Sequence, residues 1–151
     1  VKLVIQRVSR AEVRVGREVV GRIGTGLLVL VGIEVGDTAA GVQRGARKVA
    51  SLRVFEDSNG KMNLGLEDVG GDVLAVSQFT LAGSIRRGRR PAFDRAMGGA
   101  DAEVLFETFV AAVGRQGIHV ETGRFGAMMA VELVNDGPVT LIWDDPAAGD
   151  D

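Results

Sequence analysis

The chain has 151 residues, 46% of them hydrophobic and 25% charged, with a net charge of −2 and no cysteine. That length suits one soluble domain with a buried core. The missing cysteines remove disulfides, thiolate zinc sites and a cysteine nucleophile, and they are compatible with a reducing cytoplasm.

Residues 2–8 are rich in Val, Leu and Ile and predict a first strand. No cleavage-site pattern follows, so this start is read as a strand and not as a signal peptide. Glu12–Val15 and Glu18–Ile23 predict a hairpin around Gly16-Arg17. Leu27–Ile33 is a continuous apolar run between glycines and predicts a central strand buried on both faces. Asp37 or Thr38 can cap a helix to about Leu52, with Ala39, Val42, Ala46, Val49 and Ala50 at helical spacing. Gly41 and Gly45 weaken that helix.

Asp57-Ser58-Asn59-Gly60 predicts a turn, Asp72–Phe79 a strand, and Gly83–Phe93 a loop. Asp101 can cap a second helix to about Arg115. Val120, Val131 and Leu133 belong to further strands, and Val139–Trp143 is the last. The order predicts an α/β protein of mixed β-sheets with two main helices packed on one side. Residues 1–144 form the domain, and residues 145–151 read as an acidic, disordered tail. No run reaches the roughly eighteen apolar residues of a membrane helix.

The net charge conceals a local one. Asp144, Asp145, Asp150 and Asp151 sit at the C-terminal end, so the rest of the chain is net positive. Arg86, Arg87, Arg89 and Arg90 surround Gly88 in one basic run. Such a run is usually a solvated loop, but with Gly88 and Pro91 it also suits a phosphate-binding segment.

Most catalytic equipment is missing. The single histidine, His119, lies between a helix and a strand, without a triad or a second metal ligand. There is no tyrosine, no phosphate-binding GxxxxGK[ST] loop and no dinucleotide fingerprint. Glu56-Asp57 and Glu67-Asp68 read as solvated turn residues. Nothing calls for a metal or a cofactor.

What remains is hydroxyls and backbone. Ser77-Gln78-Phe79-Thr80-Leu81 and Asn135-Asp136-Gly137-Pro138-Val139-Thr140 present small polar side chains beside strands. Gly137 admits close approach and Pro138 fixes its own φ, yet an Asp-Gly-Pro hairpin turn would need no function. Either isomer of the Gly137–Pro138 bond is compatible with the sequence. Thr80 can serve as nucleophile or hydrogen-bond donor, or be an ordinary strand-end hydroxyl.

Val4-Ile5-Gln6-Arg7-Val8, the Ser77–Leu81 segment, Gly88-Arg89-Arg90-Pro91-Ala92-Phe93, Thr122-Gly123-Arg124-Phe125-Gly126 and the Asn135–Thr140 segment occur in that order. Together they resemble the D-aminoacyl-tRNA deacylase family over residues 1 to about 144. The resemblance implies a homodimer that hydrolyses the ester of D-aminoacyl-tRNA, and of glycyl-tRNA, without a cofactor. It implies that Gly137 and a cis Pro138 enter the partner's site as a backbone filter against L substrates, braced by Arg7. It implies that Ser77, Gln78, Phe79 and Thr80 surround the ester and the terminal adenosine. Arg86, Arg87, Arg89 and Arg90 would then bind tRNA.

Two mechanisms stand beside this resemblance: Thr80 as nucleophile, or the 2′-hydroxyl of the terminal ribose assisting water. The second agrees better with a Thr80 that has no sequence-evident base. Backbone N–H groups near Phe79-Thr80 could meet the oxyanion. Position 1 is Val where relatives begin with Met, which a non-ATG start read literally explains, and Ala82 replaces a frequently larger residue. The competing readings are a tRNA- or DNA-associated module of the same fold without hydrolysis, and a purely structural dimeric domain.

Overall fold

A computed structural model describes residues 1–145. Its spine is one long strand, β1 (Lys2–Val15), flanked along both edges. On one edge its first half pairs with β3 (Gly26–Gly32) and its second half with β2 (Glu18–Ile23), both antiparallel. Its other edge pairs with the last strand, β8 (Ala130–Asp144). The predicted first strand and first hairpin arm are therefore one element. The polar Ser9-Arg10 step is a register shift inside it and not an end.

Beyond β3 the sheet continues in parallel with β6 (Asp72–Ser77) and β7 (Val120–Thr122). β7 also lies against β2, so the sheet curls back towards itself. Alternation on β1 then serves two cores. Leu3 and Ile5 join the core that α1 (Ala39–Ser51) and α3 (Gly99–Gly114) cover. Val8, Ala11 and Val13 join Ile23, Leu28, Leu74 and Val76 inside the curl.

Thr38 caps α1, its hydroxyl accepting from the Gly41 N–H at 3.2 Å. Gly45 is buried in α1, where a Cβ would stand 3.0 Å from Trp143 Cζ3 and 3.2 Å from Leu3 Cδ1. A glycine that weakens the helix by propensity, Gly45, is thus what lets it sit close to the sheet. The cap of α3 is Gly98 and not Asp101, which instead places its carboxylate in the first turn, where the helix dipole favours it. Two elements went unforeseen: a small hairpin, β4 (Phe55–Glu56) with β5 (Met62–Leu64), and a single turn, α2 (Leu66–Val69). The expected Asp57 turn links β4 to β5. There the Asp57 carboxylate accepts from the N–H groups of Lys61 and Asn59, which hold it below the usual carboxylate range.

Asp145, assigned to the tail by sequence, is fixed. Its N–H donates to the Val1 carbonyl at 3.0 Å and its carboxylate takes Arg44 Nη2 at 2.7 Å. Residues 146–151 of the expected tail lie outside the described residues.

Candidate active site

The parallel strands β3 and β6 end on the same side, and the segment after β7 reaches that side too. Crevices of this kind at the carboxyl ends of parallel strands are where α/β sheets bind ligands. Here the crevice is a cleft of about 790 Å³, with Ser77, Gln78, Phe79 and Thr80 on its wall. Met97 and Ala102, Phe125 from the segment after β7, and Val131 of β8 make the rest largely apolar.

The local sequence explains the wall. β6 stops at Ser77, and the Gln78 N–H still donates to the Val31 carbonyl at 2.8 Å, so Gln78 leaves the sheet in fixed register. The chain then tightens into a 3-10 turn, Phe79–Ala82. The Leu81 N–H returns to the Gln78 carbonyl (3.2 Å), and Gly83 N–H closes on the Thr80 carbonyl (2.9 Å). A turn of this type leaves its first N–H groups, those of Phe79 and Thr80, without partners inside the turn. Gln78 Nε2 donates to Thr80 Oγ1 at 3.0 Å. Among the described residues the threonine oxygen thus has an amide neighbour and no base hydrogen-bonded to it. His119 pairs with Glu121 at 2.9 Å on the exterior and does not line the cleft among the described residues.

The second segment is built differently from the hairpin turn that its sequence allows. Asn135 and Thr140 face β1 at Val8 and Gln6, so the chain does not reverse at Gly137-Pro138. Residues 136–139 are instead an excursion within β8, opposite the single residue Arg7. Its neck is closed by Asn135, whose Oδ1 accepts from Val139 N–H at 2.7 Å and whose Nδ2 donates to Thr140 Oγ1 at 3.0 Å. Arg7, only 7% exposed, donates from Nε to the Asp136 carbonyl (2.8 Å) and from Nη1 to the Val54 carbonyl (2.7 Å). The Gly137–Pro138 peptide is cis. Gly137 has φ +148°, and a Cβ there would fall 2.9 Å from Val139 N.

Residues 136–138 of the excursion are exposed while Val139 is buried, and none of the four lines this chain's own cleft among the described residues. Sequence reasoning named Arg7, Gly137 and Pro138 but gave Asn135 no role. The available signal was an Asn four residues before a residue that needs an N–H acceptor.

Arg86, Arg87, Arg89 and Arg90 are exposed on a tip whose base is closed by reciprocal bonds between Ser84 and Ala92, at 2.7 and 2.9 Å. Gly88 turns the tip at φ +66°. The arginines do not line the cleft among the described residues, but Phe93, the residue after the closed base, does. Among the described residues no cluster could hold a metal ion, and no helix is long and apolar enough to cross a membrane.

The sequence matches the family model described as D-Tyr-tRNA(Tyr) deacylase over residues 4–144. It is 58% identical over 143 residues to the D-aminoacyl-tRNA deacylase of Symbiobacterium thermophilum, covering 95% of each chain. It is 57% identical to that of Thermus aquaticus, covering 95% of this chain and 94% of the relative. A solved structure described as c-Myc DNA Unwinding Element Binding Protein superposes with a TM-score of 0.90 at 40% identity, covering 97% of this chain and all of that one. A probable eukaryotic D-amino acid tRNA deacylase superposes at 0.83 with 18% identity, covering 95% and 98%, a likeness of fold. The class so defined is that of hydrolases acting on aminoacyl-tRNA. The chain belongs to the D-Tyr-tRNA(Tyr) deacylase family.

Proposed function

We propose that two copies of this chain form a cytoplasmic enzyme that cleaves the ester of D-aminoacyl-tRNA with water, releasing a free D-amino acid and tRNA. Each copy lends its Gly137-Pro138 excursion to the other's cleft. Backbone there meets the substrate's α-carbon, so an L side chain collides while a D side chain points away. Glycine, with no side chain to collide, passes as glycyl-tRNA, including glycine mischarged on tRNA-Ala.

The observation that carries this reading is the excursion itself. Its tip, residues 136–138, is exposed and lies away from its own cleft, and the excursion is nevertheless held by Arg7 and Asn135 through four hydrogen bonds. A loop without a task has no need of a buried guanidinium. Exposed Leu141 and Ile142 beside it suit a surface that a second copy covers.

Ser77, Gln78, Phe79 and Thr80 then surround the ester, and the N–H groups that open the 3-10 turn stabilise the oxyanion. The amide neighbour of Thr80 Oγ1 favours water assisted by the ribose 2′-hydroxyl over attack by threonine. An aminoacyl ester is already activated, so positioning contributes much of the rate. Arg86, Arg87, Arg89 and Arg90 hold phosphates of the tRNA.

The test is hydrolysis of D-tyrosyl-tRNA beside L-tyrosyl-tRNA by the purified protein. Release from the D form alone supports both reaction and filter. Release from neither, by a folded dimer that still binds tRNA, would make the chain a non-hydrolytic tRNA-binding module.

A further inference from the structure

We propose that Phe93 is a positioning residue, which ties the arginine tip to the Phe79–Thr80 turn at the mouth of the cleft. The proposal rests on the deacylase reading above.

Three features converge on this side chain. First, Phe93 leaves the tip in a fixed place. The Ser84–Ala92 bonds close the base immediately before it. Immediately after it, Ala96 N–H donates to the Phe93 carbonyl at 3.1 Å, and Met97 N–H donates to the Ile33 carbonyl at 3.0 Å. Val35 N–H, in turn, donates to the Arg95 carbonyl at 2.8 Å. The residues on either side of Phe93 are thus pinned by backbone, one side to the tip and the other to the end of β3.

Second, the ring of Phe93 meets that of Phe79 edge to face, with centroids 5.3 Å apart and planes at 69°. Phe79 is 57% exposed, and this ring contact supports it from the side on a single 3-10 turn. Third, Gly83 leaves room for the ring. A Cβ at Gly83 would stand 2.8 Å from Phe93 Cε1 and 2.9 Å from the Thr80 carbonyl oxygen. The ring therefore seats against the backbone that closes the turn, where Gly83 N–H bonds that same carbonyl.

Phosphates gripped at the tip pull on a segment that ends, one residue past its closed base, against the cleft wall. Through Phe93, tRNA contact sets where Phe79 and the Thr80 N–H stand relative to the ester.

The experiment compares Phe93→Ala, Phe93→Leu and Phe93→Tyr with the parent dimer. It reads kcat and KM for D-tyrosyl-tRNA, Kd for uncharged tRNA, and amide hydrogen exchange at Leu81 and Gly83. Loss of an edge-to-face pair is expected to lower kcat roughly three- to ten-fold in Phe93→Ala, with KM and Kd unchanged. Leu81 and Gly83 should exchange faster, because their bonds close the turn. Phe93→Tyr should restore both, and Phe93→Leu, which keeps bulk without the ring, should fall between.

Unchanged kcat and exchange would overturn the proposal. So would a loss confined to KM and Kd, which would make Phe93 an RNA contact. If the parent protein hydrolyses neither stereoisomer, it is the deacylase reading that fails. Exchange at Leu81 and Gly83 then still decides whether Phe93 holds the turn.

Discussion

The guanidinium of Arg7 and the backbone of Asp136 are joined across the sheet, Nε to carbonyl at 2.8 Å, at the point where β8 leaves register with β1. The same side chain reaches the Val54 carbonyl at 2.7 Å, at the entrance to β4. One buried residue thus fastens the excursion to two separate parts of the fold.

Replacing Arg7 by Ala removes both donors and leaves two carbonyls short of partners. Hydrogen bonds from a charged group of this kind are worth about 1.5–3 kcal/mol each, and they are not additive. We expect a loss of about 2–4 kcal/mol, read as a lower urea midpoint with an unchanged slope. A midpoint within error of the parent would mean that Arg7 braces nothing.

Gly137→Ala tests the excursion from within. Its Cβ would crowd Val139 N at 2.9 Å and Val139 Cγ2 at 2.8 Å, at a φ that L side chains rarely adopt. Strain of about 1–3 kcal/mol should shift the backbone there. The ratio of D-tyrosyl-tRNA to L-tyrosyl-tRNA hydrolysis should fall by about ten-fold or more, with tRNA binding retained. An intact ratio would count against a backbone filter.

Thr80→Ala separates the two mechanisms. With the 2′-hydroxyl assisting water, the loss of one hydrogen-bonding hydroxyl should cost about a hundred-fold or less, whereas removing an obligatory nucleophile costs on the order of 10⁴ or more. Single-turnover rates on D-tyrosyl-tRNA decide between them, and we expect the smaller loss.

Replacing Arg86, Arg87, Arg89 and Arg90 together by Ala should weaken tRNA binding and flatten its dependence on salt. Each phosphate contact contributes about 0.7–0.9 to the slope of log K against log salt. A titration between low and moderate salt should therefore lose about two to four units of slope. An unaltered slope would remove this tip from the RNA interface.

Glu12 gives a prediction in pH. Its partial burial opposes the charge, but hydrogen bonds from Arg14 Nε (3.3 Å) and Arg22 Nη2 (3.2 Å), with their charges, hold the carboxyl below its usual 4.5. A folded-state pKa below the unfolded one adds stability above the unfolded value, and that stability is lost as pH falls through the folded one. Glu12→Gln should thus be less stable than the parent at neutral pH, with the gap closing as the pH drops below 4.5. A gap that stays constant into acid would show that the carboxylate charge contributes nothing.

The sequence carried the family better than the path of the chain. The strand expected over Asp72–Phe79 was legible because Val73–Val76 is an uninterrupted apolar run, but it stops at Ser77, since the 3-10 turn that takes Phe79 and Thr80 has no pattern of its own. Ser9-Arg10 read as a break because polar residues end most strands. Here a bulge absorbs them, and pairing with β8 on the far side carries β1 onward. Gly137-Pro138 offered a turn by every local rule. Arg7, distant in sequence and buried, together with Asn135 at the neck holds the segment as an excursion inside a strand. Gly41 and Gly45 argued against a helix by propensity, and at Gly45 close approach to Leu3 and Trp143 overrode that preference. The β4–β5 hairpin has strands of two and three residues, too short for periodicity to register.

If the backbone filter proposed above operates, the anchoring of residues 136–139 links accuracy to temperature. Those residues depend on β1, on the start of β4 and on Asn135 all holding their places. A fluctuation that parts β8 from β1 would release the excursion while leaving the wall at Ser77–Thr80, which rests on β3, intact. On the proposed filter, an enzyme warmed towards its melting point would lose its D/L discrimination before its turnover.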